Sequence, residues 1–202
     1  AHRLKDEFQN KKSNDSGAKL NAEDEFDVEL ISNTIQKLKR GKAAGLDNIT
    51  AEHLQYCHPV LCCILTKLFN LMFKFSYMPS SFSLSYIVPI PKTKDYYSKH
   101  FRGITISCLM SKVFEMCIFE RFSKFLLSSD NQFGFKKGIG CSHAIYTLRN
   151  IVDYYVAGSS TVNICSLDLS KAFDKVDHNA LFIKLMNRQI PVELLDLLVF
   201  WL

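Results

Sequence analysis

Residues 167–178 read LDLSKAFDKVDH, and the fold depends on how this stretch is read. Asp168, Asp174 and Asp177 fall within ten positions. The apolar run TVNICSLDL (161–169) leads into the first acid, and NALFIKLMNRQI (179–190) follows the last with the look of a helix. Side chains alternate faces along a strand. A strand over 161–169 therefore puts Ile164, Ser166 and Asp168 on one face and Cys165, Leu167 and Leu169 on the other. Asp168 then stands at the strand exit, on the more polar face. A carboxylate there suits Mg²⁺, which takes oxygen donors in octahedral geometry and keeps waters for substrate phosphates. The carbonyl of Leu169 is a second donor from the same strand end. An Asp after a strand equally caps the next turn, and Asp174 and Asp177 are both suited to cap a helix over 178–188. The residues alone favour capping for Asp177 and leave Asp168 open. An EF-hand is excluded, because Phe173 stands where that loop needs glycine. The stretch is not glycine-rich, so it is no phosphate-cradling loop.

Working outward, the chain reads as α+β. Residues 1–24 are polar around NKKSNDSG, a composition expected of a linker or arm. Residues 25–202 read as the folded part. Phe26, Leu30, Ile31, Ile35 and Leu38 recur at helical spacing, and Gly41 supplies a stop. GKAAGLDNIT is a glycine-bearing loop, Thr50 is placed to cap AEHLQYC, and Pro59 opens a helix to about Phe75. SLSYIVPIPK (83–92) reads as a strand that Pro89 and Pro91 confine to an edge or terminal position. KTKDYYSKHFRG is a charged loop. Residues 106–127 read as one helix with Leu109, Val113, Met116, Phe119, Phe122 and Leu126 as its apolar stripe. SSDNQFGFKKGIGCS is loop or hairpin, and HAIYTLRNIVDYYVAG is a helix stopped by Gly158. Pro191 opens a last helix.

Composition narrows the class. Apolar residues make up 48% of the 202, enough for a core. No apolar run reaches the ~18 residues of a membrane span, and the start has no signal-peptide core, so an intracellular, non-secreted protein without membrane contact is expected. The chain starts without Met and stops inside the apolar run LLDLLVFWL, which reads as a piece of a longer protein. Net charge is +5, with basic clusters at 37–42, 91–94, 98–102 and 135–137. That balance is compatible with a polyanionic partner, although each cluster alone reads as solvated surface. Seven Cys, an odd number, lie mostly among aliphatic residues: Cys62, Cys63, Cys108, Cys117 and Cys165 read as small core residues of a reduced protein. YCHPVLCC matches no paired Cys-x-x-Cys spacing, so zinc is not expected there.

LDLSKAFDKVDH resembles the first palm motif of the reverse transcriptases of non-LTR (LINE-type) retrotransposons: an Asp, four residues, an aromatic and an Asp, then an apolar-Asp-His tail. Three further segments match in order. GKAAGLDNITAEHL resembles the family's opening GKxxGxDxi segment. SYIVPIPKTKD with KHFRGITISCLMSKVFEMCI resembles its first fingers motif and the Ser-Lys-x-x-Glu helix. NQFGFKKGIGCSHAI resembles the Gln-Phe-Gly-Phe-Arg-x-Gly motif.

The resemblance implies a right-hand polymerase fold, here fingers and partial palm. It implies an RNA-directed DNA polymerase that adds deoxynucleotides to a DNA primer on an RNA template. Asp168 becomes a catalytic and metal-binding residue and Leu169 a carbonyl donor, with two Mg²⁺ ions in the intact enzyme. Lys92 and Arg102 match residues that grip the triphosphate. Phe173 matches the bulky residue that blocks the sugar 2′-position, with core packing as its plain alternative. Gln132, Gly134 and Phe135 match positions near template and nucleotide. Asp174 reads as structural. Gly103 stands where the family usually has Pro, which loosens that loop. Gly140 and Cys141 replace a small hydroxylated pair. The 202 residues contain no Asp-Asp pair, no thumb and no endonuclease, so the remaining palm and thumb are expected beyond Leu202 and the endonuclease upstream. The other reading is a non-catalytic basic remnant that binds nucleic acid through its phosphates, with salt-dependent affinity.

Overall fold

The computed structural model describes residues 2–14, 17–18, 20–91, 101–169 and 172–202. Helices dominate: α1 (His2–Asn14), α2 (Val28–Gln36), α3 (Ala51–Gln55), α4 (Val60–Lys74), α5 (Leu109–Arg121), α6 (Cys141–Ala157), α7 (His178–Asn187) and α8 (Val192–Trp201). One antiparallel hairpin, β1 (Ser85–Pro91) with β2 (Phe101–Ser107), is the sheet among the described residues. The chain divides into two compact units, residues 1–126 with 177–202, and residues 127–176.

The first unit holds the core. Ile31 and Ile35 of α2, Leu65, Phe69, Met72 and Phe73 of α4, and Val113, Phe114, Cys117 and Ile118 of α5 are buried together. Met186 of α7 and Leu194, Leu195 and Leu197 of α8 complete it. Phenylalanines knit the helices. Phe69 and Phe114 have ring centroids 4.8 Å apart, and Phe73 stacks on Phe122 at 5.2 Å. Such pairs add to area burial. The entry to α2 is tied to α4 by a two-way amide clasp: the Phe26 N–H donates to Asn70 Oδ1 at 2.9 Å, and Asn70 Nδ2 donates to the Phe26 carbonyl at 2.8 Å. Asp27 caps α2, accepting from the Leu30 N–H at 2.7 Å and from Arg121 Nη2 at 2.5 Å. The Leu30 amide first, and then Arg121, hold its carboxyl below the ordinary range.

Several elements match their sequence signals. α3 starts after Thr50, whose N–H donates to His53 Nδ1 at 3.0 Å. α4 follows Pro59. β1 carries Pro89 and Pro91, tolerated because each strand of a two-stranded sheet is an edge. Asp177 caps α7, accepting from the Ala180 N–H at 3.2 Å.

Other expectations are corrected. Residues 2–14 of the supposed arm form α1, which packs on α7: Phe8 is buried, 5.4 Å from the Phe182 ring, and Lys12 pairs with Asp196 at 2.7 Å. Its one buried apolar side chain left too faint a periodicity to read. Residues 101–107 are strand β2, taken from the sequence for charged loop and helix start. Of the expected stripe around α5, Val113 and Phe122 are buried and Leu109, Met116 and Leu126 pack against the core, but Phe119 is 58% exposed, and Phe114, Cys117 and Ile118 are buried in addition. Of the five Cys expected in the core, Cys108 and Cys117 are buried, while Cys63 and Cys165 are exposed.

The second unit is built differently. None of its described residues between 127 and 176 is buried. Its one α-helix, α6, leaves Ile145, Tyr146, Ile151, Tyr154 and Val156 largely exposed. The expected strand over 161–169 is irregular and exposed, with Leu167 92% accessible. A strand persists only with a ladder partner for its amides and carbonyls, and none pairs with it among the described residues.

Candidate functional site

The hairpin of the first unit carries Arg102, exposed and paired across the ladder with Ile90. Lys92 lies outside the described residues. The root of the hairpin is braced by the GKAAGLDNIT loop. A Cβ on Gly45 would lie 2.5 Å from the Ser107 carbonyl oxygen, so only glycine lets this loop close on the end of β2. Asp47 accepts a hydrogen bond from the Cys108 thiol at 2.8 Å and one from the Ile49 N–H at 3.2 Å. Burial first, and then the neighbouring carboxylate, push the Cys108 thiol above its ordinary value. The glycine and aspartate of GKxxGxD thus act here as packing residues. The sequence marked the loop but not what approaches it.

The second unit holds the other candidates. Gln132 Nε2 donates to the Gly134 carbonyl at 3.2 Å, and Lys136 Nζ donates to the Ser129 carbonyl at 2.6 Å, so the QFGFK segment is tied at both ends. Between them Phe135 adopts φ +60°, a left-handed conformation that costs a bulky residue energy. Its ring is 91% exposed. Phe173 opens a short 3₁₀ turn, Phe173–Lys175, and is 77% exposed. The two rings meet edge to face, with centroids 6.0 Å apart and planes at 89°. Asp168 and Leu169 end the irregular segment before this turn, both exposed. Asp174 lies in the turn, exposed, and Asp177 belongs to the first unit as the α7 cap.

The structure therefore brings Phe135 and Phe173 together, a contact that motif matching did not reveal. The only available hint was that each motif carries a phenylalanine, Phe135 in one and Phe173 in the other. It assembles no carboxylate cluster: no group of three or more His, Cys, Asp or Glu close enough to hold a metal occurs among the described residues. Among those residues, no helix is long and apolar enough to cross a membrane.

Residues 90–201 match the family described as reverse transcriptase (RNA-dependent DNA polymerase), more than half of the chain. The chain belongs to this family. The match takes in β2, the QFGFK segment and the Asp168–Phe173 stretch. Two Drosophila melanogaster proteins are similar over most of the chain. The probable RNA-directed DNA polymerase from transposon BS is 24% identical over 163 residues, 78% of this chain and 18% of that protein. The probable RNA-directed DNA polymerase from transposon X-element is 26% identical over 177 residues, 83% of this chain and 19% of that protein. Both relatives are named as transposon polymerases, which agrees with the resemblance carried by the four ordered motifs. The chain spans less than a fifth of the length of the curated relatives it matches.

Proposed function

We propose that the protein forms the fingers and the start of the palm of an RNA-directed DNA polymerase with a right-hand fold, acting on an RNA template, a DNA primer and deoxynucleoside triphosphates. One observation carries the reading: a single family match runs unbroken from the hairpin bearing Arg102 to the turn bearing Phe173. The reaction is an in-line displacement. The primer 3′-hydroxyl oxygen bonds to the α-phosphorus, the bond from that phosphorus to the bridging oxygen breaks, and pyrophosphate leaves.

Each residue has a physical task. Arg102 and Lys92 offer charge-assisted hydrogen bonds to the triphosphate, and the guanidinium fork suits bidentate contact with phosphate oxygens. Phe173 stands against the sugar edge, where a ring leaves room for hydrogen at the 2′-position and none for hydroxyl. Asp168 and Leu169 are the donors for Mg²⁺. The donor chemistry fits, since a carboxylate and a carbonyl are hard oxygen ligands and Mg²⁺ is commonly held by one or two carboxylates together with substrate phosphates. When bound, the ion supplies positive charge that offsets the charge developing on the phosphoryl oxygens.

Primer extension on an RNA template by the full-length protein carrying these residues tests the proposal. Asp168→Ala should abolish extension, and activity that survives the change refutes the role of Asp168. The 202 residues alone, with one such aspartate, are expected to extend no primer.

A further inference from the structure

We infer that Phe135 is a specificity-determining residue: its ring buttresses Phe173 and fixes the wall that reads the sugar 2′-position. The inference rests on the reading of Phe173 given above and adds a second residue to that wall.

Burial does not explain the contact. Both rings are mostly exposed, at 91% and 77%, yet they meet at 6.0 Å and 89°, the edge-to-face geometry that ring quadrupoles favour. Nor does the local backbone explain the residue. At φ +60° a glycine would sit without strain, whereas phenylalanine holds the position against a steric cost. The segment that carries it is anchored on both sides, by Gln132 to the Gly134 carbonyl and by Lys136 to the Ser129 carbonyl and, at 3.8 Å, to Asp130. A braced segment thus presents one strained, solvent-facing ring to another.

The chemistry of discrimination supplies the reason. A ribonucleotide differs from a deoxynucleotide by one oxygen atom at C2′. A single exposed phenylalanine swings about its side-chain torsions and yields to an intruding hydroxyl. A second ring placed edge-on restricts that swing, so the wall excludes the larger sugar. Positional tolerances near 1 Å decide such outcomes.

The test measures kcat/KM for one deoxynucleotide and its matching ribonucleotide in primer extension by the full-length protein. Phe135→Gly is the informative variant, because it removes the ring and relieves the backbone strain together, so folding is not put at risk. It should lower deoxy-over-ribo discrimination roughly three- to tenfold, the range an edge-to-face ring pair supplies. Phe135→Tyr, which keeps the ring, should restore it. Phe173→Ala should lower discrimination further, and the Phe135→Gly, Phe173→Ala double variant should match Phe173→Ala alone, because a buttress without its wall does nothing. A merely structural role for Phe135 depresses both nucleotides equally; an unchanged ratio in Phe135→Gly with a collapsed one in Phe173→Ala overturns the inference and leaves the polymerase reading standing. An unchanged ratio in Phe173→Ala overturns the wall itself, and the buttress with it. Absence of extension by the unaltered protein overturns both readings.

Discussion

At Gly45 a single methyl group has nowhere to go. The nearest atoms to its would-be Cβ are the carbonyl oxygen and carbon of Ser107 and Cα of Cys108, all backbone, at 2.5 to 2.9 Å. Backbone cannot rotate aside as a side chain can, so Gly45→Ala forces the loop off the hairpin root. About 1–3 kcal/mol of destabilisation follows, as for other overpacked sites, read as a lower urea midpoint. An unshifted midpoint would show that the loop does not bear on β2. Cys117 makes a second prediction. Burial pushes its thiol from 9.0 up to about 11. Below pH 9 the thiol is protonated in both folded and unfolded chains and contributes nothing to pH dependence. Between 9 and 11 the unfolded chain releases a proton the folded chain retains, so stability drains away as pH rises, by roughly 2–3 kcal/mol at completion. In Cys117→Ala that loss is missing. The stability gap between the two proteins should therefore narrow by this amount from pH 8.5 to pH 11, and a constant gap refutes the shift. At this scale Asp177 was legible, because a cap is a local signal: one carboxylate, one amide, three residues apart. Cys117 was legible as a core residue, but the close approach at Gly45 was not, because it is set by atoms far along the chain.

Elements show the same division. Helices α2, α3, α4, α6, α7 and α8 were readable because apolar spacing, Thr50, Pro59 and Gly158 all act within one or two turns. The strand β2 was missed because Phe101–Ser107 holds Arg102, Gly103 and two hydroxyl residues, and only its pairing with β1 makes it a strand. Residues 161–169 fail in the opposite sense: their composition is that of a strand, and their pairing is absent among the described residues. Side chains remote in sequence also finish elements. Gln55 Nε2 donates to the carbonyls of Leu38 at 3.0 Å and Ile35 at 3.1 Å, closing the C-terminal end of α2. Glu52 accepts from the Gly41 N–H at 2.7 Å, a bond that holds its carboxyl below the ordinary range. Helix α1 depends on a single anchor. Phe8→Ala removes its buried ring, leaving Lys11 with Asn187 and Lys12 with Asp196, surface contacts worth little. The expected outcome is local: residues 2–14 become sensitive to protease while the core of α2, α4 and α5 keeps its resistance. Cleavage throughout the chain in this variant would mean that α1 is part of the cooperative core.

At the scale of the whole molecule, the family and the order of its motifs were legible, since motif order survives when pairwise identity falls to about a quarter. The uneven distribution of burial was not, because it depends on which helices find partners. Residues 1–126 with 177–202 contain every fully buried side chain described, whereas none of the described residues from 127 to 176 is buried. That contrast sets a stability difference that hydrogen exchange can measure. A helix of 17 residues whose side chains stay exposed is held by little beyond its own hydrogen bonds, and isolated helices of that length are marginal in water. Helix α4, of 15 residues, buries Leu65, Phe69, Met72 and Phe73, and it opens only when the core opens. Composition does not separate the two helices, since α6 carries Ile145, Leu148 and Ile151 as readily as α4 carries Leu65 and Phe69. Burial alone does. Amides in the middle of α6 should therefore exchange at least a hundredfold faster than those of α4, a ratio corresponding to roughly 3 kcal/mol of opening free energy. The ratio should shrink in urea, as global unfolding becomes the common route for both helices. Equal protection of α6 and α4 in the absence of denaturant would show that the exposed apolar residues of α6 are covered in solution, and that the two units unfold as one.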